Sequence, residues 1–147
     1  MKVSIGSDHR GLQQRQVIAA AITALGHEVD DLGSFSEEPC DYPDIAAMVG
    51  SRVASGETET GILVCGTGIG MCIAANKVNG IRAALSCDIA TTKLSRQHNN
   101  ANVLCLAGNN FDELQFKGMV TAWLTTEFEG GRHQRRLDKV AALESGC

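Results

Sequence analysis

Short apolar runs alternate along this chain with segments whose apolar residues recur at helical spacing, and few folds satisfy that rhythm. Val3–Gly6, Glu28–Leu32, Ile62–Cys65, Ile81–Leu85 and Asn102–Leu106 read as strands. Between them, Ile18, Ile22 and Leu25 mark a helix stopped at Gly26, and Ile45, Met48, Val49 and Val53 mark another that ends near Gly56. Further helices are expected through Ile73–Asn76, over Ile89–Gln97, and around Phe116, Val120 and Trp123. A last one runs from about His133 to Leu143, after a break at Gly130–Gly131. The stretch from Gly33 to Pro43 holds Gly, Ser, Pro and Asp and reads as a loop. Strands alternating with helices require crossover connections, which are right-handed and build a parallel sheet. The expectation is a single α/β domain over 1–147: three layers, α/β/α, around a five-stranded parallel sheet. The C-terminal helix, set apart by its glycines, is free to pack on a partner subunit.

Composition narrows the function. Hydrophobic residues make up 44% and aromatics only 4%, so the core must be aliphatic. A net charge of −4 argues against a general nucleic-acid binder, which must neutralise many phosphates. The cysteines are Cys40, Cys65, Cys72, Cys87, Cys105 and Cys147. Met1–Ser7 reads as a strand rather than a secretory leader, and no apolar run approaches the length of a membrane span. Free thiols in a reducing cytoplasm are therefore expected, with no membrane partner. No Cys-x-x-Cys pair appears, so the usual structural zinc spacing is absent.

In parallel sheets ligands bind beyond the carboxyl ends of the strands. Strand one ends at Ser7–Asp8–His9, strand three ends at Cys65–Gly66–Thr67, and the loop after strand two carries Asp41–Tyr42. These can converge on one rim. His98–Asn99 precedes strand five and so belongs to the opposite end. One subunit is not expected to bring His98 beside Cys65; a second would be needed.

The run Cys65-Gly66-Thr67-Gly68-Ile69-Gly70 carries the strongest chemistry. Its glycines let backbone N–H groups face an anion, and it opens a helix, whose start favours negative charge. A thiol there is expected to have a lowered pKa and to serve as a base. The plain alternative is a buried structural cysteine beside a tight turn. A dinucleotide site fits poorly, since the glycines at 66, 68 and 70 do not make GxGxxG, and no Gly-Lys-Ser/Thr follows for a Walker loop. His9 and His98 can exchange protons near neutral pH, or be ordinary surface histidines. Arg132 and Arg136 share a helix face and suit a phosphate dianion, or form a solvated basic face. Asp41 and Tyr42, before Pro43, either face substrate or start a helix, with Asp41 or Asp44 as cap. A Cys–His hydrolase built on Cys65 and His9 or His98 remains a competitor, although no protease signature is present.

Taken in order, several strings resemble the sugar-phosphate isomerase family that contains ribose-5-phosphate isomerase B and the galactose-6-phosphate isomerase subunits. They are Gly6-Ser7-Asp8-His9 with Gly11, Asp41-Tyr42-Pro43, Gly61 through Gly70, Ala74-Ala75-Asn76-Lys77 and Gly80-Ile81-Arg82-Ala83. Leu94 through Asn99, Asn102-Val103-Leu104 and Glu129-Gly130-Gly131-Arg132-His133 complete the set. The resemblance implies a Rossmann-like fold, no metal or organic cofactor, and a homodimer or homotetramer with sites across the dimer interface. It implies Cys65 as the base moving a proton between C1 and C2, with Thr67 and the amides of Gly66–Gly70 on the enediolate. It implies ring opening by His98 with Asp8, phosphate held by His9, Arg132 and Arg136, and hydroxyls placed by Asn99 and Tyr42. One branch of that family has a glutamate where this chain has Met71, so this chain resembles the cysteine branch. Ribose 5-phosphate is the expected substrate. Allose 6-phosphate, galactose 6-phosphate, a tetrose phosphate, or a non-catalytic sugar-phosphate-binding subunit are the alternatives.

Overall fold

The computed structural model describes residues 1–145; Gly146 and Cys147, and with the latter one expected free thiol, lie outside the described residues. The strands are β1 (Lys2–Ser7), β2 (Glu28–Asp31), β3 (Thr60–Cys65), β4 (Ala83–Ser86) and β5 (Val103–Ala107). The helices are α1 (Leu12–Ala24), α2 (Tyr42–Ala54), α3 (Ile69–Ala75), α4 (Ile89–Asn99), α5 (Glu113–Thr125) and α6 (Arg132–Ser145). One turn of 3-10 helix at His9–Gly11, which hydrophobic spacing could not foretell, leads into α1. All strand pairs are parallel, in the order β2-β1-β3-β5-β4.

That order dictates the layers. The chain moves one way from β1 to β2 and from β4 to β5, and the other way from β2 to β3 and from β3 to β4. Right-handed crossovers then put α1 and α4 on one face, joined by α5, and α2 and α3 on the other. Side chains of β3 alternate accordingly. Ile62 and Val64 join Ile18, Ile22, Phe116 and Trp123, while Leu63 and Cys65 join Ile45, Val49, Met71 and Cys105. Two glycines let α2 lie close to the sheet. A Cβ on Gly6 would stand 2.6 Å from Ile45 Cγ2, and one on Gly61 2.7 Å from Val49 Cγ1. Trp123 is buried, and its Nε1–H donates to Thr60 Oγ1 at 2.9 Å, as a buried indole needs.

The fourth strand starts later than the apolar pattern predicts. Ile81 N–H donates to Val78 O at 3.1 Å, so this residue closes a turn rather than opening the strand. Ile81 is apolar because it is buried between sheet and helix, not because it pairs. The last helix docks on its own chain: both carboxylate oxygens of Glu144 accept from Gly80 N–H, at 3.1 and 3.0 Å. Beneath it lies a cavity of about 430 Å³ lined by Arg82, Asn99, Leu137 and Val140 among others. Among the described residues, no helix is long and apolar enough to cross a membrane.

Candidate active site

The carboxyl ends of β1, β3 and β5 form one rim. Cys65 closes β3 with its side chain 6% exposed, and Gly68 N–H donates to its Sγ at 3.2 Å. Gly68 has φ +73°, and a Cβ on it would stand 2.9 Å from the Leu106 carbonyl carbon. Only glycine therefore fits the turn that leads into α3. Thr67 is exposed, and its Oγ1 accepts from Ile69 N–H at 3.4 Å. Gly70 lies under the ring of Tyr42, whose Cζ is 2.7 Å from where a Cβ would be. Tyr42 opens α2 and is 40% exposed; Asp41 precedes it as the capping residue, yet its side chain makes no capping hydrogen bond. The carboxylate of Asp41 is exposed at the rim instead.

Asp8 and His9 follow β1 onto the same rim. Asp8 is buried, with Oδ1 accepting from Arg10 N–H at 2.9 Å and its own N–H donating to Val64 O at 3.3 Å. His9 Nδ1 accepts from Cys40 N–H at 3.4 Å. That assignment leaves the neutral ring's proton on Nε2, where it can be offered to an anion.

A second cluster forms at the opposite edge. Helix α4 returns antiparallel to the strands, so His98 and Asn99 emerge at the amino end of β5. Asn100 ends the helix with φ +42°, a conformation asparagine tolerates. His98 stacks on His133 with ring centroids 4.3 Å apart and planes 6° from parallel. Glu129 Oε2 lies 3.9 Å from His98 Nε2 and 3.6 Å from His133 Nε2. Burial holds the His133 pKa below 6.5, and repulsion from His98 and Arg132 lowers it further. Gly130 and Gly131, both with positive φ, turn the chain into α6, which brings Arg132 and Arg136 to this cluster. His98, Glu129 and His133 offer ligand atoms within 4.8 Å of one another. Their parallel rings do not aim lone pairs at one point, and the neighbouring guanidinium groups oppose a dication.

The sequence-derived candidates thus fall into two groups. Asp8, His9, Asp41, Tyr42, Cys65, Gly66, Thr67, Gly68 and Gly70 share the carboxyl rim; His98, Asn99, Arg132 and Arg136 share the amino edge. The length of β5 separates the edges by roughly 13 Å at 3.3 Å per residue. His98 and Asn99 lie at the end of β5 expected of them, and both arginines join them there.

Two features escaped the sequence. Arg15 is buried, its Nε 3.1 Å from Asp31 Oδ1 and its Nη1 donating to Ser7 Oγ and to Ser34 O. It ties the loop after β2 to the end of β1, and so supports Asp8 and His9. A charged residue inside a helical pattern ordinarily signals a solvated face, so nothing marked it. Cys72, one turn into α3, has a pKa lowered to about 7, chiefly by the Cys105 thiol, while burial pushes Cys105 well up.

Known proteins share this arrangement closely. The model of the ribose/galactose isomerase family matches residues 3–140. The ribose-5-phosphate isomerase B of Escherichia coli strain K12 is 44% identical over 143 residues, covering 97% of this chain and 96% of that protein. The solved ribose-5-phosphate isomerase B of Clostridium thermocellum superposes with a TM-score of 0.96 at 43% identity, covering 99% of this chain and 98% of that one. That of Mycoplasma genitalium, with bound ribulose-5-phosphate, gives a TM-score of 0.94 at 42% identity, covering 99% and 97%. With the family model matched over nearly all its length and relatives this similar across theirs, the chain belongs to the ribose/galactose isomerase family.

Proposed function

We propose that this protein interconverts ribose 5-phosphate and ribulose 5-phosphate, using a site completed by a second copy of the chain. The observation that carries the reading is the Gly68 N–H on Cys65 Sγ, in the glycine turn that opens α3. The reaction needs a proton taken from C2 of the open-chain aldose and returned to C1. Cys65 as thiolate takes that proton, and the Gly66–Gly70 amides with Thr67 bear the enediolate charge. Preorganised donors of this kind commonly supply about 3 kcal/mol each to the transition state. Tyr42, over Gly70, faces the sugar hydroxyls, and Asp41 stands beside it.

The other residues act from the partner's amino edge. His98 there opens the furanose ring, with Asp8 of the first subunit assisting. Asn99 binds hydroxyls, and Arg132 and Arg136 hold the phosphate with His9. A two-fold dimer gives two such sites, because each copy offers one rim and one edge. The surface that would meet the partner is apolar: Ile69 and Ile73 of α3 are 51% and 59% exposed, beside Tyr42 and Met48. The absence of a metal or organic cofactor and a cytoplasmic setting belong to the same proposal.

The decisive assay compares wild type with Cys65→Ala on ribose 5-phosphate. The variant is expected to lose at least about a thousandfold in kcat while melting as wild type does and still binding substrate. Normal turnover by the variant would remove Cys65 from the chemistry. A panel of aldose phosphates of other lengths, run alongside, tests the substrate.

A further inference from the structure

Arg10 has no role so far, and its position gives it one. It is exposed on the carboxyl rim, and among the described residues no carboxylate lies within ion-pair distance of it. Its side chain lies back over the glycine turn. A Cβ built on Gly66 would find Arg10 Cδ at 3.4 Å, Asn109 Nδ2 at 3.5 Å and Arg10 Nη1 at 3.7 Å. A guanidinium and an amide NH₂ thus converge over the residue that follows Cys65.

The backbone builds this convergence. Asp8 Oδ1 fixes Arg10 N–H at 2.9 Å. Gly108 N–H donates to Cys65 O at 2.7 Å and Asn109 N–H to Gly66 O at 3.4 Å, so the loop after β5 is tied to the two successive carbonyls at that turn. Neither the Arg10 guanidinium nor the Asn109 amide nitrogen has a hydrogen-bond acceptor of its own among the described residues. Donors gathered without acceptors on a rim with His9 are arranged for an anion.

We infer that Arg10, assisted by Asn109, binds the phosphate of the substrate from the same subunit that supplies Cys65. The inference rests on the isomerase reading above. The phosphate, rather than the enediolate, is the anion in question. Arg10 belongs to the His9–Gly11 turn, which packs on the Val64 side of β3, where a Cβ on Gly11 would stand 3.0 Å from Val64 Cγ1, whereas Cys65 Sγ packs on the other face, toward α2 and α3. The phosphorus of an extended pentose 5-phosphate lies five bonds from C2, about 6.5 Å at ~1.3 Å of advance per bond. A group on the far side of Gly66, next to His9, meets that end of the ligand. The phosphate would then be held between Arg10 and His9 of one copy and Arg132 and Arg136 of the other.

The test measures KM and kcat for ribose 5-phosphate, and the inhibition constant of inorganic phosphate, in wild type, Arg10→Gln, Arg10→Lys and Asn109→Asp. Lys117→Gln, on the exposed side of α5, is the charge-loss control and should match wild type. Arg10→Gln is expected to raise KM and the phosphate inhibition constant together, roughly ten- to hundredfold, as loss of a charged donor does. Its kcat should change far less. Arg10→Lys should fall between, because the charge remains and the fork is lost. Asn109→Asp should also raise both constants, by placing a negative charge beside the phosphate. An Arg10→Gln protein with wild-type KM and phosphate inhibition overturns the assignment. So does a loss confined to kcat, which would place Arg10 at the enediolate. If wild type itself does not turn over ribose 5-phosphate, the isomerase reading fails instead. Calorimetric titration with inorganic phosphate then still decides Arg10, by equal or weakened binding in the variant.

Discussion

Individual side chains here are set by what surrounds them more than by what they are. The pKa of His133 is lowered in the fold, by burial first and then by repulsion from His98 and Arg132. The unfolded chain takes up that proton near pH 6.5, the folded chain only at lower pH. Stability tied to the neutral ring is therefore present above pH 6.5 and lost as pH falls through the lowered folded value. Urea unfolding at about pH 7.5 and 5.5 should show a larger fall in midpoint for wild type than for His133→Asn; equal falls would show that the ring does not carry the effect. Cys72 is the converse case. The Cys105 thiol, placed to donate to it, draws its pKa to about 7. Thiol alkylation followed at Cys72 should half-titrate near that pH, and the midpoint should rise in Cys105→Ala. An unmoved midpoint would deny the pairing. Residues of this kind are illegible in a sequence, because a thiol or imidazole takes its character from neighbours far along the chain.

Elements are more legible, for a physical reason. β3 and β5 are covered on both faces, so they read as nearly continuous apolar runs bounded by turn residues, while β1, equally buried, alternates Val3 and Ile5 with Ser4 and Gly6. β4 misled because Ile81 is buried without pairing, and burial is what an apolar pattern reports. The helix starts carry clear chemistry. Asp88 caps α4 in a reciprocal box with Thr91 and accepts from its N–H at 2.6 Å. Asp88→Ala should lower unfolding stability by about 1 kcal/mol in urea titration, since the cap lies at the far end of the helix from His98. A wild-type midpoint would show that α4 is held by packing alone. The glycine turn before α3 is less forgiving. Gly68→Ala meets both the positive φ and the Leu106 carbonyl, and should cost about 2 kcal/mol or more. It should also lower activity with it, since the amide on Cys65 Sγ moves; a variant of full stability and activity would contradict the turn as described.

At the scale of the whole molecule, the parallel sheet explains why the candidate residues part into two groups. Strand ends and helix ends alternate along the chain, so residues after β1 and β3 meet on one rim while those ending α4 and starting α6 meet on the other edge. That division is legible from strand direction alone, as it was for His98. The reach of Arg10 over Gly66 is not, because it depends on where two loops from distant segments fold back. The apolar outer surface of α3 then gives the proposed dimer its seam. Ile73→Asp should weaken self-association in sedimentation and lower activity in parallel; full activity in a monomer would refute shared sites. The most direct test mixes two inactive parents, Cys65→Ala and His98→Asn/Arg136→Gln. Random exchange in a two-fold dimer makes half the molecules mixed, each with one intact site, so about a quarter of wild-type activity should return. Mixed dimers that form yet stay inactive would contradict a site drawn from two chains.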